Sequence, residues 1–136
     1  MYNKRIKQLM ISTGISGMIA VMLGALGAHK LQDLLSPDSL AAFKTGVYYQ
    51  LFHTVALLAV LIWAKLFANK KILYAAYFFI VGIVLFSGSI YLLSTLSLHQ
   101  LNWVKIFGPI TPLGGIAFIL AWFFVVLAAF EISDTK

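Results

Sequence analysis

Four stretches of the chain, at about residues 9–28, 47–67, 72–96 and 112–130, are long, apolar and almost free of charge. At 1.5 Å per residue, some 20 helical residues cover the roughly 30 Å hydrocarbon layer of a bilayer. No water reaches that layer to satisfy a bare peptide group, so each segment must close its own backbone hydrogen bonds, as a helix does. The expected fold is therefore all-α: one domain, residues 1–136, forming an integral membrane, antiparallel four-helix bundle. Composition agrees. The chain is 62% hydrophobic and 10% charged, where a soluble domain carries about 25% charged residues.

The charges that exist sit at the ends of the runs. With four spans both termini share a side, and Lys4, Arg5, Lys7, Lys65, Lys70, Lys71 and Lys136 fall there, against Lys30, Lys44 and Lys105 on the other. Seven bases against three orient the N and C termini toward the cytoplasm. The same placement assigns the formal charge of +6 to anionic lipid rather than nucleic acid. The chain has no Cys, which excludes disulfides, thiolate nucleophiles and Cys-ligated metal. The basic start, the apolar run and the Ala25-x-Gly27 end also match a secretion signal, but the run is long for one. It is read as a retained first span.

Small residues recur at three- and four-residue spacing, which places them on one helix face. In lipid such faces let helices approach closely and gain dispersion contacts. Gly17, Gly24, Gly27, Gly82, Gly88, Gly114 and Gly115 are the expected packing glycines. Between spans, Asn69-Lys70-Lys71 is a tight connection that makes its flanking helices antiparallel neighbours. The two longer connections are expected to carry amphipathic surface segments. In the first, Ser36-Pro37-Asp38 is a helix start, with a capping hydroxyl, a proline at the first position and an acid at the positive dipole end. That helix is expected to lie on the surface and to enter the membrane near Val47 after a bend at Gly46. In the second, Leu98 to Phe107 reads as interfacial, and Thr111-Pro112 as a second cap-then-proline start. Residues Glu131 to Lys136 form a polar tail.

Two histidines stand out. His29 ends the first run, after Gly24-Ala25-Leu26-Gly27-Ala28, and His53 lies inside the second. An ionisable residue within a span usually faces the bundle interior or a wet cavity. One reading is a neutral histidine hydrogen-bonded to a neighbouring helix. The sharper reading is a polar outer-leaflet pocket lined by His29, Tyr48, Tyr49, Gln50, His53 and Ser87, which binds a small ligand or relays protons. Haem or a metal shared with His99 is a third. No recognised ligand spacing supports it, so no metal and no cofactor is expected. Motifs of hydrolases, P-loop proteins and zinc proteases are absent. With no carboxylate inside a span, proton-coupled transport would have to run through the histidines.

Four blocks of residues together resemble a known family. They are Gly24 to His29, Phe43-Lys44-Thr45-Gly46-Val47-Tyr48-Tyr49-Gln50-Leu51-Phe52-His53, Leu85-Phe86-Ser87-Gly88-Ser89-Ile90-Tyr91, and Gly108-Pro109-Ile110-Thr111-Pro112-Leu113-Gly114-Gly115 running on to Trp122. They touch every span and are similar to the small membrane proteins of domain of unknown function 423, also called YgdD-like or transmembrane-protein-256-like. The resemblance implies a four-span protein of the bacterial cytoplasmic membrane and no catalytic residues. The expected function is that of an accessory or ligand-binding membrane protein, not an enzyme. The alternatives are an assembly partner for a larger membrane protein, and an oligomeric channel or transporter; its surroundings are the lipid bilayer, with a homo-oligomer open.

Overall fold

The structure is a computed structural model and describes residues 2–67 and 69–132. Helix α1 spans Tyr2–Ala28 and α2 spans Pro37–Phe67. A third span comes next, built of α3 (Lys70–Gly82), one π-helical segment (Ile83–Ser87) and α4 (Gly88–Ser94). A short α5 (Leu96–His99) and a 3-10 segment (Asn102–Phe107) lead to α6 (Ile110–Ala129). Four stretches are long and apolar enough to cross a membrane: Asn3–Ala28, Pro37–Phe67, Lys70–Ser94 and Asn102–Ala129.

The ends obey local chemistry. Ser36 Oγ accepts the Ser39 amide at 3.3 Å, one of the orphan donors of the first turn of α2. Asn69 Oδ1 accepts from Lys71 N at 2.8 Å and Ile72 N at 3.3 Å, so the tight connection is itself the cap of α3. Gln100 closes α5 in the left-handed region, at φ 55°.

Two expected details are corrected. No separate surface helix precedes the second span, because α2 runs unbroken from Pro37 through Gly46. Its 31 residues measure about 46 Å, so its first turns project beyond a hydrocarbon layer of roughly 30 Å. Gly46 serves contact instead of bending: a Cβ there would lie 2.9 Å from Tyr91 Cε1. Nor does Thr111 cap the last helix. That helix begins one residue earlier, at Ile110, and the Thr111 hydroxyl lies 2.6 Å from Ser89 Oγ on the third span. Pro112 is still within the first turn, where no intrahelical bond needs its missing N–H. Residues 133–136 of the polar tail, and with them Lys136 of the charge count, lie outside the described residues.

In the bundle α1 packs on α2, α2 on the third span, and α6 on α3 and the π segment. The main core joins Ile6 and Leu9 of α1, Leu57 and Leu61 of α2, Ile72 and Phe79 of α3, and Phe118 and Ala121 of α6. The seam between α6 and the third span is the closest. A Cβ at Gly114 would fall inside the Phe86 backbone, and one at Gly82 inside the Phe118 ring. These two glycines let the helices touch. Gly17, Gly24 and Gly27 face Thr54, Val47 and Phe43 of α2 at 3.8, 3.4 and 3.1 Å, and Gly115 sits at ordinary contact with the Phe86 ring. Gly88 departs from its expected role, because a Cβ there would meet nothing within 4 Å.

The end where α1 begins and α6 finishes is tied by polar bonds. Glu131 Oε1 pairs with Lys71 Nζ at 2.7 Å, and Asn69 Nδ2 donates to Glu131 Oε2 at 2.8 Å. The hydrogen bonds from Lys71 and then Asn69 hold the Glu131 carboxyl below its ordinary value of 4.5. Stability from this clasp is present above that value and is lost as pH falls through the lowered one. Glu131→Gln should therefore lower the melting temperature slightly at neutral pH. The gap to wild type should close below pH 4.5 and narrow in high salt. Gly114→Ala should cost about 1–3 kcal/mol of unfolding free energy through overpacking. Gly115→Ala should be neutral or slightly stabilising, since alanine is the better helix former. Thermal unfolding in detergent micelles measures all three.

Candidate functional site

Depth in the bilayer can be set along α2. Measured upward from Lys65, a layer of roughly 30 Å ends near Thr45. Gln50 then lies about 7 Å inside the far boundary and His53 about 12 Å, close to the midplane.

His53 is 5% exposed and enclosed by rings. Phe118 stacks on it, with centroids 3.6 Å apart and planes at 11°. Tyr49, Phe52, Phe79 and Trp122 surround it at 5.2 to 6.4 Å. The stack exists because Gly82 leaves room for the Phe118 ring. His53 Nδ1 lies 2.8 Å from the Tyr49 carbonyl. A carbonyl only accepts, so Nδ1 carries the proton, and in the neutral ring Nε2 is left as the acceptor.

The expected pocket is divided. His29 is exposed, just past α1. Gly27 meets Phe43, which fixes that level on α2, and His53 is ten residues further down, about 15 Å at the helical rise. The two histidines therefore share no cavity. His99 is in the second connection, where Nε2 donates to the Leu92 carbonyl at 3.1 Å and Nδ1 accepts from Leu101 N at 3.1 Å. Tyr48, Tyr49 and His53 do gather, with Phe52, around a shallow hollow of about 260 Å³. Tyr48 is exposed there, and Tyr49 packs on Phe86 at 4.5 Å. Ser87 is fully buried, and its hydroxyl has no hydrogen-bond partner among the described residues.

Gln50 joins a different group. Its Nε2 donates to the Ser16 carbonyl at 3.0 Å and approaches Ser16 Oγ at 3.4 Å. Its Oε1 accepts from the Tyr91 hydroxyl at 2.7 Å. Ser16 Oγ lies 2.8 Å from Thr54 Oγ1. This network closes on the wall of a groove of about 340 Å³ between α1 and the third span. Ser16 and Ile19 form one side, Gln50 part of the floor, and Ile83, Gly88 and Tyr91 the other side. Gly88, with open space at its missing Cβ, widens it.

Ser16, Thr54 and Tyr91 are absent from the sequence-based site. A signal for the first two exists in the four-residue spacing of Ser12 and Ser16 on α1 and of Gln50 and Thr54 on α2. Polar pairs at that spacing on adjacent spans meet one another when the helices pack. Tyr91 carries no comparable signal, since its reach to Gln50 depends on how the third span packs.

The protein of unknown function (DUF423) family model matches residues 23–115. The chain belongs to this family. It is 40% identical to the UPF0382 membrane protein YwdK of Bacillus subtilis, over 90% of this chain and 96% of that one. The UPF0382 inner membrane protein YgdD of Escherichia coli K12 is 32% identical over 92% of this chain and 91% of its own. A UPF0382 membrane protein of Haemophilus influenzae is 38% identical over 86% and 89% respectively. No solved structure matches the chain. The matched segment contains Gln50, His53, Ser87 and Tyr91, and ends before Phe118 and Trp122.

Tyr91→Phe leaves Gln50 Oε1 buried without its donor, and is expected to destabilise by about 1–3 kcal/mol. Gln50→Leu alone should cost a similar amount. The double variant should cost clearly less than the two together, because the Tyr91–Gln50 bond is lost in each single change and is counted twice in their sum. Equilibrium unfolding of the four proteins in mixed micelles gives the coupling.

Proposed function

We propose that the protein is a small lipid-binding accessory protein of the membrane, and that the groove between α1 and the third span holds one bilayer-soluble molecule. The supporting observation is the Ser16–Gln50–Tyr91 network on the wall of an otherwise apolar groove. The cluster ties α2 to α1 and to the third span, and it also borders open space, in a seam that α1 and the third span leave unclosed. Gln50 Nε2 has two N–H bonds and one short acceptor, the Ser16 carbonyl at 3.0 Å; Ser16 Oγ is at 3.4 Å, the long end of a hydrogen bond. A ligand carbonyl or ester oxygen would take that second N–H at a better distance. The preferred molecule has an apolar chain that fills the groove and an acceptor oxygen at the Gln50 end. This replaces the pocket expected around His29 and His53; in this reading His53 is a packed core histidine.

The reading also assigns the protein to the bacterial cytoplasmic membrane with both termini inside. The distribution of bases supports this, as does the inner-membrane description of the Escherichia coli relative. The segment Asn102–Phe107, with Val104 buried and Trp103 and Ile106 exposed, is read as lying on the outer interface.

Purification in mild detergent, then mass spectrometry of organic extracts, tests the groove. Wild type should carry a molecule enriched over the bulk membrane lipids. Gly88→Phe, which introduces a ring into the groove from a position with no steric conflict, should reduce that molecule by about tenfold while circular dichroism and elution stay unchanged. Gly88→Leu should give an intermediate loss. Equal amounts in all three proteins, or no enriched molecule in wild type, would refute the reading.

A further inference from the structure

On the opposite side of α1, at the end where that helix begins, lies a second cavity. It holds about 360 Å³ and is lined by Asn3, Ile6, Lys7, Met10, Ile11 and Lys65. Lys7 and Lys65 thus both line one notch between α1 and α2. Lys65 Nζ donates to Asn3 Oδ1 at 3.3 Å, which uses one of its three N–H bonds. Among the described residues neither Lys7 nor Lys65 has a carboxylate partner. Of the four acids, Asp33 and Asp38 are at the other end of the bundle, Glu131 pairs with Lys71, and Asp134 is outside the described residues. Two like charges bordering one cavity, with no carboxylate partner among the described residues, repel, and an anion seated between them removes that repulsion.

The notch is amphipathic in the sense that matters for a lipid. Lys7 lies near the start of its span and Lys65 in the last turn of α2, and the bias of bases toward this end puts both within reach of the headgroups of the cytoplasmic leaflet. Below them Met10 and Ile11 make an apolar wall toward the bilayer interior. Gly14 continues the same face of α1, and a Cβ there would meet nothing within 4 Å, so the helix surface is hollowed along the path of an acyl chain. Free phosphate would use the lysines and leave this wall unoccupied. We propose that the Lys7–Lys65 notch is a binding site for the phosphate of one anionic phospholipid, whose chain lies along Met10, Ile11 and Gly14. Basic pockets between spanning helices at a membrane face recognise anionic headgroups in this way.

Reconstitution into vesicles of equal parts phosphatidylglycerol and phosphatidylcholine, extraction into micelles and native mass spectrometry test the site. Wild type should retain one phosphatidylglycerol in preference to phosphatidylcholine. Lys7→Gln/Lys65→Gln should lower the phosphatidylglycerol-bound fraction by roughly tenfold. Lys70→Gln/Lys105→Gln, which removes the same charge elsewhere, should leave it unchanged. Asn3→Ala, which frees Lys65 without changing charge, should keep the lipid. Equal loss in both double variants would reduce the effect to bulk electrostatics and overturn the site. Equal retention of the two lipids would do so too. Displacement of the lipid by millimolar inorganic phosphate would assign the notch to free phosphate and equally overturn the lipid site.

Discussion

Gln50 joins three of the four spans. From α2 it gives a hydrogen bond to the α1 backbone at Ser16 and accepts one from Tyr91 on the third span. In a bilayer the hydrophobic effect does not draw helices together, because lipid tails are as apolar as leucine. Association rests on close packing and on polar groups that must find partners. The two halves of this bundle use those resources differently. The seam of α6 and the third span is a packing seam, with Gly82 and Gly114 admitting Phe118 and the Phe86 backbone. The attachment of α1 relies more on hydrogen bonds, through Ser16 to Thr54 and Gln50. Because these bonds and the Gly24 and Gly27 contacts hold α1 to α2, α1 stays attached while a groove remains between it and the third span.

The histidine obeys the opposite logic. Its imidazole is on the α6 side of α2, where glycines have drawn the helices into contact. One nitrogen is bonded to its own helix and its face is covered by Phe118. A neutral imidazole so placed behaves as an aromatic ring with one internal hydrogen bond. The polar residue that looks most chemical in the sequence is thus absorbed by packing, whereas Gln50, expected beside it in one pocket, borders a different groove.

That exchange shows what is legible in a sequence of this kind. The four spans and the Ser36 start can be read because each depends on local physics: length against the bilayer, or a side chain reaching its own helix end. The separation of His29 from His53 cannot, since it requires knowing which levels of α1 and α2 meet. Gly27 against Phe43 sets that level, and no periodicity within one helix contains it. Gly88 escapes the helical periodicity for a related reason. It directly succeeds a π-helical turn, which closes i→i+5 bonds and holds an extra residue. The turn does not displace every face, since Ser89, seven residues after Gly82, is buried on the α6 side as Gly82 is, but Gly88 beside it opens toward α1.

The π turn also bears on why the groove exists. Pairing of α6 with the third span is closest at the turn itself, where Gly114 meets the Phe86 backbone, and Ser89 just beyond it bonds Thr111. With Ser89 held by α6, its neighbours on the other face reach away: Tyr91 crosses to Gln50, and Gly88 opens toward α1. A regular helix through Ile83–Ser87 would rotate Gly88 and Tyr91 together relative to α6, so one could not be corrected without moving the other. Groove, tyrosine and open glycine thus lie together, just after the π turn, on the face turned away from α6. The close contact at Gly114 fixes that turn in place.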